Sequence, residues 1–194
     1  MKNSLIIVVF LFAGLALRAQ KTDVHFGLKA GLNIANLNVK DASGYDSKAS
    51  FYAGGLAHIH VTQHFAIQPE VMYSGQGGKT TIAGTDYKVN LNYINVPVLG
   101  QYMTGGGFRL QTGPQVGFLT TAKSKVNDDE TNIKDNFKTT DFSWVFGASY
   151  QTHSGFGVDG RYNLGLSDIS ESNASKVRNR VVQLGVFYQF MHNK

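Results

Sequence analysis

The sequence contains no cysteine, so no disulfide framework holds this chain together and no cysteine-borne lipid anchors it. Proline occurs only three times, at Pro69, Pro97 and Pro114. All three fall inside segments that otherwise read as strands, where each removes a ladder hydrogen bond. Beyond residue 20 no apolar run approaches the roughly 20 residues of a membrane-spanning helix. Charged residues make up 16% of the chain and lie spread along it, without the basic stripe that nucleic-acid binding needs. Nucleic acid is thereby excluded as a partner.

The one long apolar run stands at the start. Met1, Lys2 and Asn3 form a short positive segment, Leu5 to Leu17 is almost wholly apolar, and Leu17-Arg18-Ala19 offers a cleavage site before Gln20. This pattern is that of a secretory signal peptide over residues 1–19, too short and wrongly flanked to persist as an anchor. The remaining residues, 20–194, are expected to form one domain. Lys2 and Arg18 leave with the signal, so the 18 basic residues fall to 16 against 13 acidic ones, a net charge of about +3.

What the chain does have is strict alternation. Val24, Phe26, Leu28, Ala30, Leu32 and Ile34 are separated by His25, Gly27, Lys29, Gly31, Asn33 and Ala35. Successive side chains of a strand point to opposite faces, so such a segment has one apolar face and one small or polar face. The pattern returns from Phe108 to Phe118 and from Phe156 to Leu166. Dyad segments of about ten residues separated by turns mark a barrel lying in lipid. Many of the 22 glycines, Gly27, Gly31, Gly113, Gly117, Gly157, Gly165 and Gly185 among them, fall on the polar parity. Small residues there leave room for long ones inside a narrow barrel.

Eight strands are expected, at Asp23–Asn36, Phe51–Val61, Phe65–Gly75, Tyr87–Tyr102, Phe108–Thr120, Asp141–Tyr150, Phe156–Leu166 and Arg180–Phe190. Short turns, 62–64, 104–107 and 152–155, alternate with longer polar loops at 37–50, 76–86, 121–140 and 167–179. The fold class is an all-β, eight-stranded, antiparallel up-and-down transmembrane barrel, with short turns in the periplasm and long loops outside. In the fourth strand the apolar residues switch from odd positions (Val89, Leu91, Tyr93) to even ones (Ile94, Val96, Val98). A bulge near Tyr93-Ile94 is expected to shift the parity. Each proline is expected beside a bulge or a rim, because an unpaired carbonyl is costly in lipid.

The polar parity places Lys29, Glu70, Arg109, Asp159 and Arg161 inside, an almost balanced set. An eight-stranded barrel is just wide enough to be filled by side chains, so these charges are expected to pair, with glutamines such as Gln68 and Gln111 completing a polar core. An aqueous pore is the alternative, although open channels are built from more strands. His25, His58 and His60 share the inner parity near the short-turn rim. Three imidazoles at this spacing suit zinc or copper. They equally suit a hydrogen-bonded polar interior, and with no carboxylate or cysteine beside them no metal and no cofactor is assigned. No serine, histidine and acid converge by register and Gly105-Gly106-Gly107 is a turn, so no catalytic residues are assigned and no enzyme is expected.

The segment from Thr121 to Thr140 is densely charged with both signs and reads as a solvated, mobile loop. Contact with lipopolysaccharide is its sharper reading, and Asp128-Asp129-Glu130 lacks the alternating ligands of a calcium loop. The last strand carries Phe187, Tyr188 and Phe190, with four residues after Phe190.

Five stretches in order, Phe26–Asn33, Phe65–Val71, Tyr93–Val98, Gly113–Gly117 and Arg161–Leu166, together resemble the PorT-like outer-membrane β-barrel family of the Bacteroidetes. The terminal aromatic at Phe190 resembles the assembly signal of outer-membrane barrels. The resemblance implies a small monomeric barrel in the outer membrane, touching lipid and lipopolysaccharide, with a structural or interaction role. It also implies an alternative, an accessory component of a protein-secretion or transport machine with envelope proteins as partners.

Overall fold

A computed structural model describes residues 23–39, 45–82, 85–126, 129–172 and 176–190. The expected signal peptide and the Ala19–Gln20 junction lie outside the described residues, as do Asp128 and the last four residues. Nine strands are present among them: β1 (Val24–Val39), β2 (Lys48–His60), β3 (Phe65–Ile82), β4 (Thr85–Met103), β5 (Phe108–Val126), β6 (Asp129–Asn132), β7 (Thr140–Gln151), β8 (Phe156–Gly165) and β9 (Val177–Gln189). Eight of them close a ring in the order β1-β2-β3-β4-β5-β7-β8-β9, with β9 returning to β1 through the register Gly27↔Gln189 to Val39↔Val177. Every neighbouring pair is antiparallel. Among the described residues no helix is long and apolar enough to cross a membrane.

The alternation works inside out. Phe26, Leu28 and Leu32 are 61–64% exposed, whereas Lys29, Asn33, His58 and Glu70 are buried. An apolar exterior around a polar interior suits hydrocarbon surroundings, and closure leaves no backbone edge unpaired there. Aromatic pairs gather near the short-turn end: Phe65 with Tyr102 at 5.2 Å between ring centroids, and Phe156 with Tyr188 at 4.7 Å. Rings at this level form one of the two aromatic girdles of a membrane barrel.

The short turns are alike in build. In two of them a threonine closes on the start of the next strand, Thr104 N donating to Phe108 O and Thr152 N to Phe156 O. Each then needs a left-handed residue, supplied by Gly107 at φ 87° and Gly155 at φ 89°.

Three expectations are corrected at the other end. The segment 76–86 is no loop: β3 and β4 run on as a hairpin to Ile82↔Thr85. Most of the 121–140 segment is ordered likewise, since β5 continues to Val126, β6 pairs back on it, and a 3-10 turn follows at Lys134–Asn136. The parity switch in β4 has a different cause from the one expected. β4 alternates without a break, with Val89, Leu91, Tyr93, Asn95, Leu99 and Gln101 all buried. Its inner face simply changes from polar to apolar toward the long-loop end. The register does shift at Asn92/Tyr93, but the extra residue is Thr120 on β5, after which the inner parity of that strand passes to Ala122. The bulge is held by Thr120 Oγ1 donating to Asn92 O at 2.8 Å and Asn92 Nδ2 donating to Thr121 Oγ1 at 2.7 Å.

The prolines stand at neither the rim nor this bulge. Pro69 pairs with Val98, Pro97 with Gln115 and Pro114 with Trp144, in mid-strand on three neighbouring strands. The ladder skips Glu70 and Val71 on β3 and Val98 and Leu99 on β4, then resumes in unchanged register. A further gap falls at Gln68 and Pro69 where β3 meets β2, so the missing donors interrupt three adjacent seams once each within one patch of the wall.

Candidate functional site

The inner face forms tiers along the barrel. Nearest the short turns, His25 and His58 face each other across β1 and β2, and His60 follows on the same side. The rings of His58 and His60 lie 4.6 Å apart, those of His25 and His60 5.5 Å. His58 Nδ1 meets Gln68 Oε1 at 3.3 Å. These three imidazoles are therefore brought together, but among the described residues no group of three or more histidines, cysteines and acids stands ready to hold a metal. Arg109 lies at this level too. Its guanidinium donates to Gln151 Oε1 and, at 3.4 Å, to Gln189 Oε1, both side-chain amide oxygens.

The next tier is ionic. Arg161 donates to Glu70 through both terminal nitrogens, at 2.7 and 2.6 Å, and its Nε lies 2.9 Å from Asp159 Oδ2. Lys29 Nζ lies 2.5 Å from Asp159 Oδ2 and 4.0 Å from Glu70 Oε1. Two cations thus face two carboxylates, all buried, with zero net charge. Gln68 Nε2 donates to Glu70 at 2.6 Å and Gln111 Oε1 accepts from Arg161 at 3.3 Å. Four of the five charges expected inside meet here. Arg109 stands apart, because its place on β5 lies nearer the rim.

Tyr52 is the member that sequence reasoning missed. It sits on β2, yet its hydroxyl donates to Asp159 Oδ1 on β8 at 3.2 Å. The residues between them in cross-strand register are Gly31 on β1 and Gly185 on β9. Two opposed glycines clear a trough along which the phenol ring lies. The inner-parity glycines were visible in the sequence; which side chain uses the space was not.

Above the ions, Gln183 Nε2 donates to Asn33 Oδ1 at 2.8 Å, and Asn33 Nδ2 donates to Ser74 Oγ at 2.9 Å. Asn179 Nδ2 reaches Asp141 Oδ2 at 2.8 Å and Tyr93 Oη at 3.4 Å. The top tier is apolar: Leu37, Val89, Leu91, Leu119, Ala122 and Ile169 are buried together, with Tyr45, Ile133, Phe137 and Val177 packed against them. This cap was the meaning of Val89, Leu91 and Tyr93.

The loop that supplies Ile169 is tied by Asp168. Partial burial pushes its carboxyl upward, but Val177 N–H at 2.9 Å, Ser170 N–H at 3.1 Å and Lys138 Nζ at 3.9 Å outweigh it and hold the pKa below the ordinary value. A lowered folded-state pKa contributes order above the unfolded value, and that order is lost as pH falls through the lower one. Relative to the intrinsic rate at each pH, hydrogen exchange at Val177 and Ser170 is expected to be unchanged from pH 8 to 5 and to quicken about tenfold below about pH 4, the weight of one hydrogen bond to a partly solvated charged acceptor. Asp168→Ala is expected to show the fast exchange already at pH 7.

A family model described as outer membrane protein beta-barrel domain matches residues 18–171. The chain belongs to that family. As an outer-membrane barrel it is similar in fold to two solved structures. Neisserial surface protein A matches with a TM-score of 0.61 at 17% identity, over 85% of this chain and 97% of that one. The attachment invasion locus protein Ail of Yersinia pestis matches with a TM-score of 0.55 at 13% identity, over 87% and 99%. No curated protein matches the chain. At these identities the likeness is one of β-barrel fold, and the outer-membrane location rests on the family.

Proposed function

We propose that this protein is a solitary, closed barrel of the PorT-like kind, whose short turns face the periplasm and whose long hairpins stand outside as an interaction surface. One observation carries the reading: the lumen is tied across at three heights and then capped. β3 and β8 stand four places apart in a ring of eight, so Glu70 and Arg161 join opposite walls. Tyr93 on β4 and Asn179 on β9 do the same higher up, and Arg109 and Gln189 span the lumen below. A barrel filled in this way has no route for solutes, and a rigid wall suits a protein that works through its outer end. Strands of 18, 19 and 19 residues in β3, β4 and β5 exceed the roughly 9–11 that cross a membrane, which raises the hairpins well above the lipid. No enzymatic role is proposed, since the lumenal histidines meet Gln68 and one another.

In planar bilayers the protein is expected to give no discrete conductance steps, and steady ion-selective steps would overturn the closed-barrel reading. Purified from outer membranes in mild detergent, it is expected to elute alone as a compact band that shifts on boiling. A stoichiometric set of envelope proteins in that eluate would instead make it an accessory part of a secretion or transport machine.

A further inference from the structure

Beneath the apolar cap one buried acid stands without a cation. Asp141 is 6% exposed, on the inner face of β7. Its Oδ1 accepts from Ser167 Oγ at 2.8 Å and its Oδ2 from Asn179 Nδ2 at 2.8 Å, both neutral donors. Among the described residues no basic side chain forms an ion pair with it. The cations of the neighbouring segments are turned elsewhere. Arg178 and Arg180 flank Asn179 on the exposed parity of β9, and Lys138 lies 3.9 Å from Asp168. The ionic tier below holds two cations and two carboxylates and lends no net charge. A buried charge is costly unless it is paired or coordinates a metal ion.

Unused oxygens gather beside this acid. Asn179 is 3% exposed and its Oδ1 has no hydrogen-bond partner, although the nitrogen of the same amide touches Asp141. Tyr93 Oη lies 3.4 Å from that nitrogen. Across the wall, Gly117 pairs with Asp141 on β7 and with Asn95 on β4. The space that a Cβ would take at Gly117 is bordered by Asn95 Oδ1 at 2.7 Å, the Tyr93 ring at 3.3 Å and Asp141 O at 3.6 Å. The tier therefore presents a carboxylate, two amide carbonyls and a phenol. These are hard oxygen donors, unlike the imidazoles and thiolates that transition metals take. Only one of them is charged, so a single positive charge balances the set, whereas a divalent ion would leave an excess. Ser167 is only half-buried, which leaves a way in from the long-loop end.

We propose that Asp141, Asn179, Asn95 and Tyr93 form a binding site for one alkali-metal cation beneath the cap. The ion neutralises Asp141, takes up the free Asn179 oxygen and ties β4, β7 and β9 together at that height.

The test heats the mature protein, folded in non-ionic detergent micelles, and follows the unboiled compact band. It compares sodium chloride at about 150 mM with choline chloride at the same ionic strength. Both salts screen surface charge alike, but choline is too bulky for a gap with oxygens at these distances. The native protein is expected to unfold about 4 °C higher in sodium, the shift given by a ligand at about ten times its dissociation constant. Asp141→Asn removes the charge while keeping an amide for Ser167 and Asn179. It is expected to unfold at one temperature in both salts, above the native protein in choline. Asn95→Ala is expected to need about tenfold more sodium for the same effect, the weight of one charge-assisted contact. Equal unfolding of the native protein in the two salts overturns the proposal, and is the result expected if Asp141 carries a proton instead of meeting an ion. The same sodium response in Asp141→Asn also overturns it, because the ion would then act elsewhere. The native comparison needs no variant, so it decides even if Asp141→Asn fails to fold.

Discussion

Arg161→Met is expected to lower the stability of the micelle-embedded barrel by about 3–5 kcal/mol, measured by urea titration of the unboiled compact form. Arg161 is 5% exposed and joins the two carboxylates, its terminal nitrogens on Glu70 and its Nε beside Asp159. Without it two buried carboxylates share the single charge of Lys29. The cost is that of an uncompensated buried charge, which is much larger than the net worth of the pair. Glu70→Met in the same chain is therefore expected to recover most of the loss, since Lys29 and Asp159 remain as a neutral pair at 2.5 Å. Arg161→Lys keeps the charge but not the fork, and is expected to fall between the two. A single-variant loss below about 1 kcal/mol would show that the tier is solvated and behaves like surface ion pairs.

Gly185→Val is expected to be nearly as damaging, by about 3 kcal/mol, the upper range for overpacking. A Cβ at this position would overlap Tyr52 Oη and stand 2.6 Å from Ala30 O, so neither the ring nor the backbone has room. Gly31 is bounded in the same way, with Tyr52 Cε1 at 2.8 Å from a Cβ there. The readout is the fraction of chain that reaches the compact band on refolding. Tyr52→Phe serves as the companion variant: it keeps the ring, removes the bond to Asp159, and is expected to cost about 1 kcal/mol. If Gly185→Val folded as well as the parent, the trough would not be what seats Tyr52. If Tyr52→Phe cost as much as Gly185→Val, the hydroxyl rather than the space would be decisive.

Both predictions turn on residues whose face was legible from alternation alone. A period of two is a local property, so the parity of Lys29, Glu70, Asp159 and Arg161 follows from their immediate neighbours. Their partners do not, because Glu70 and Arg161 are 91 residues apart and meet only once eight strands close. Tyr52 illustrates the limit: it was on the inner parity, but its reach across β1 and β9 depends on register. The misread stretch of β4 shows the opposite failure. Apolar parity alone points Val89, Leu91 and Tyr93 at lipid, because apolar residues face it elsewhere in this chain. They face inward because the barrel rises beyond the membrane, and a wall with water outside buries its apolar face inside, as a soluble sheet does. The charged 121–140 segment misled for a related reason, since polar composition does not separate a mobile loop from a hairpin solvated on both sides.

The sequence by itself determined the all-β class, the eight crossings, the short turns and the sign of each face within the apolar belt. These depend on side-chain period and turn chemistry, which neighbouring residues decide. Only the tertiary structure decided that the lumen is tied across at three heights, that an apolar cap closes the long-loop end, and that Asp141 is buried among neutral partners. Those features are set by the register between strands distant in sequence, and a ring has its register only when the last strand pairs with the first.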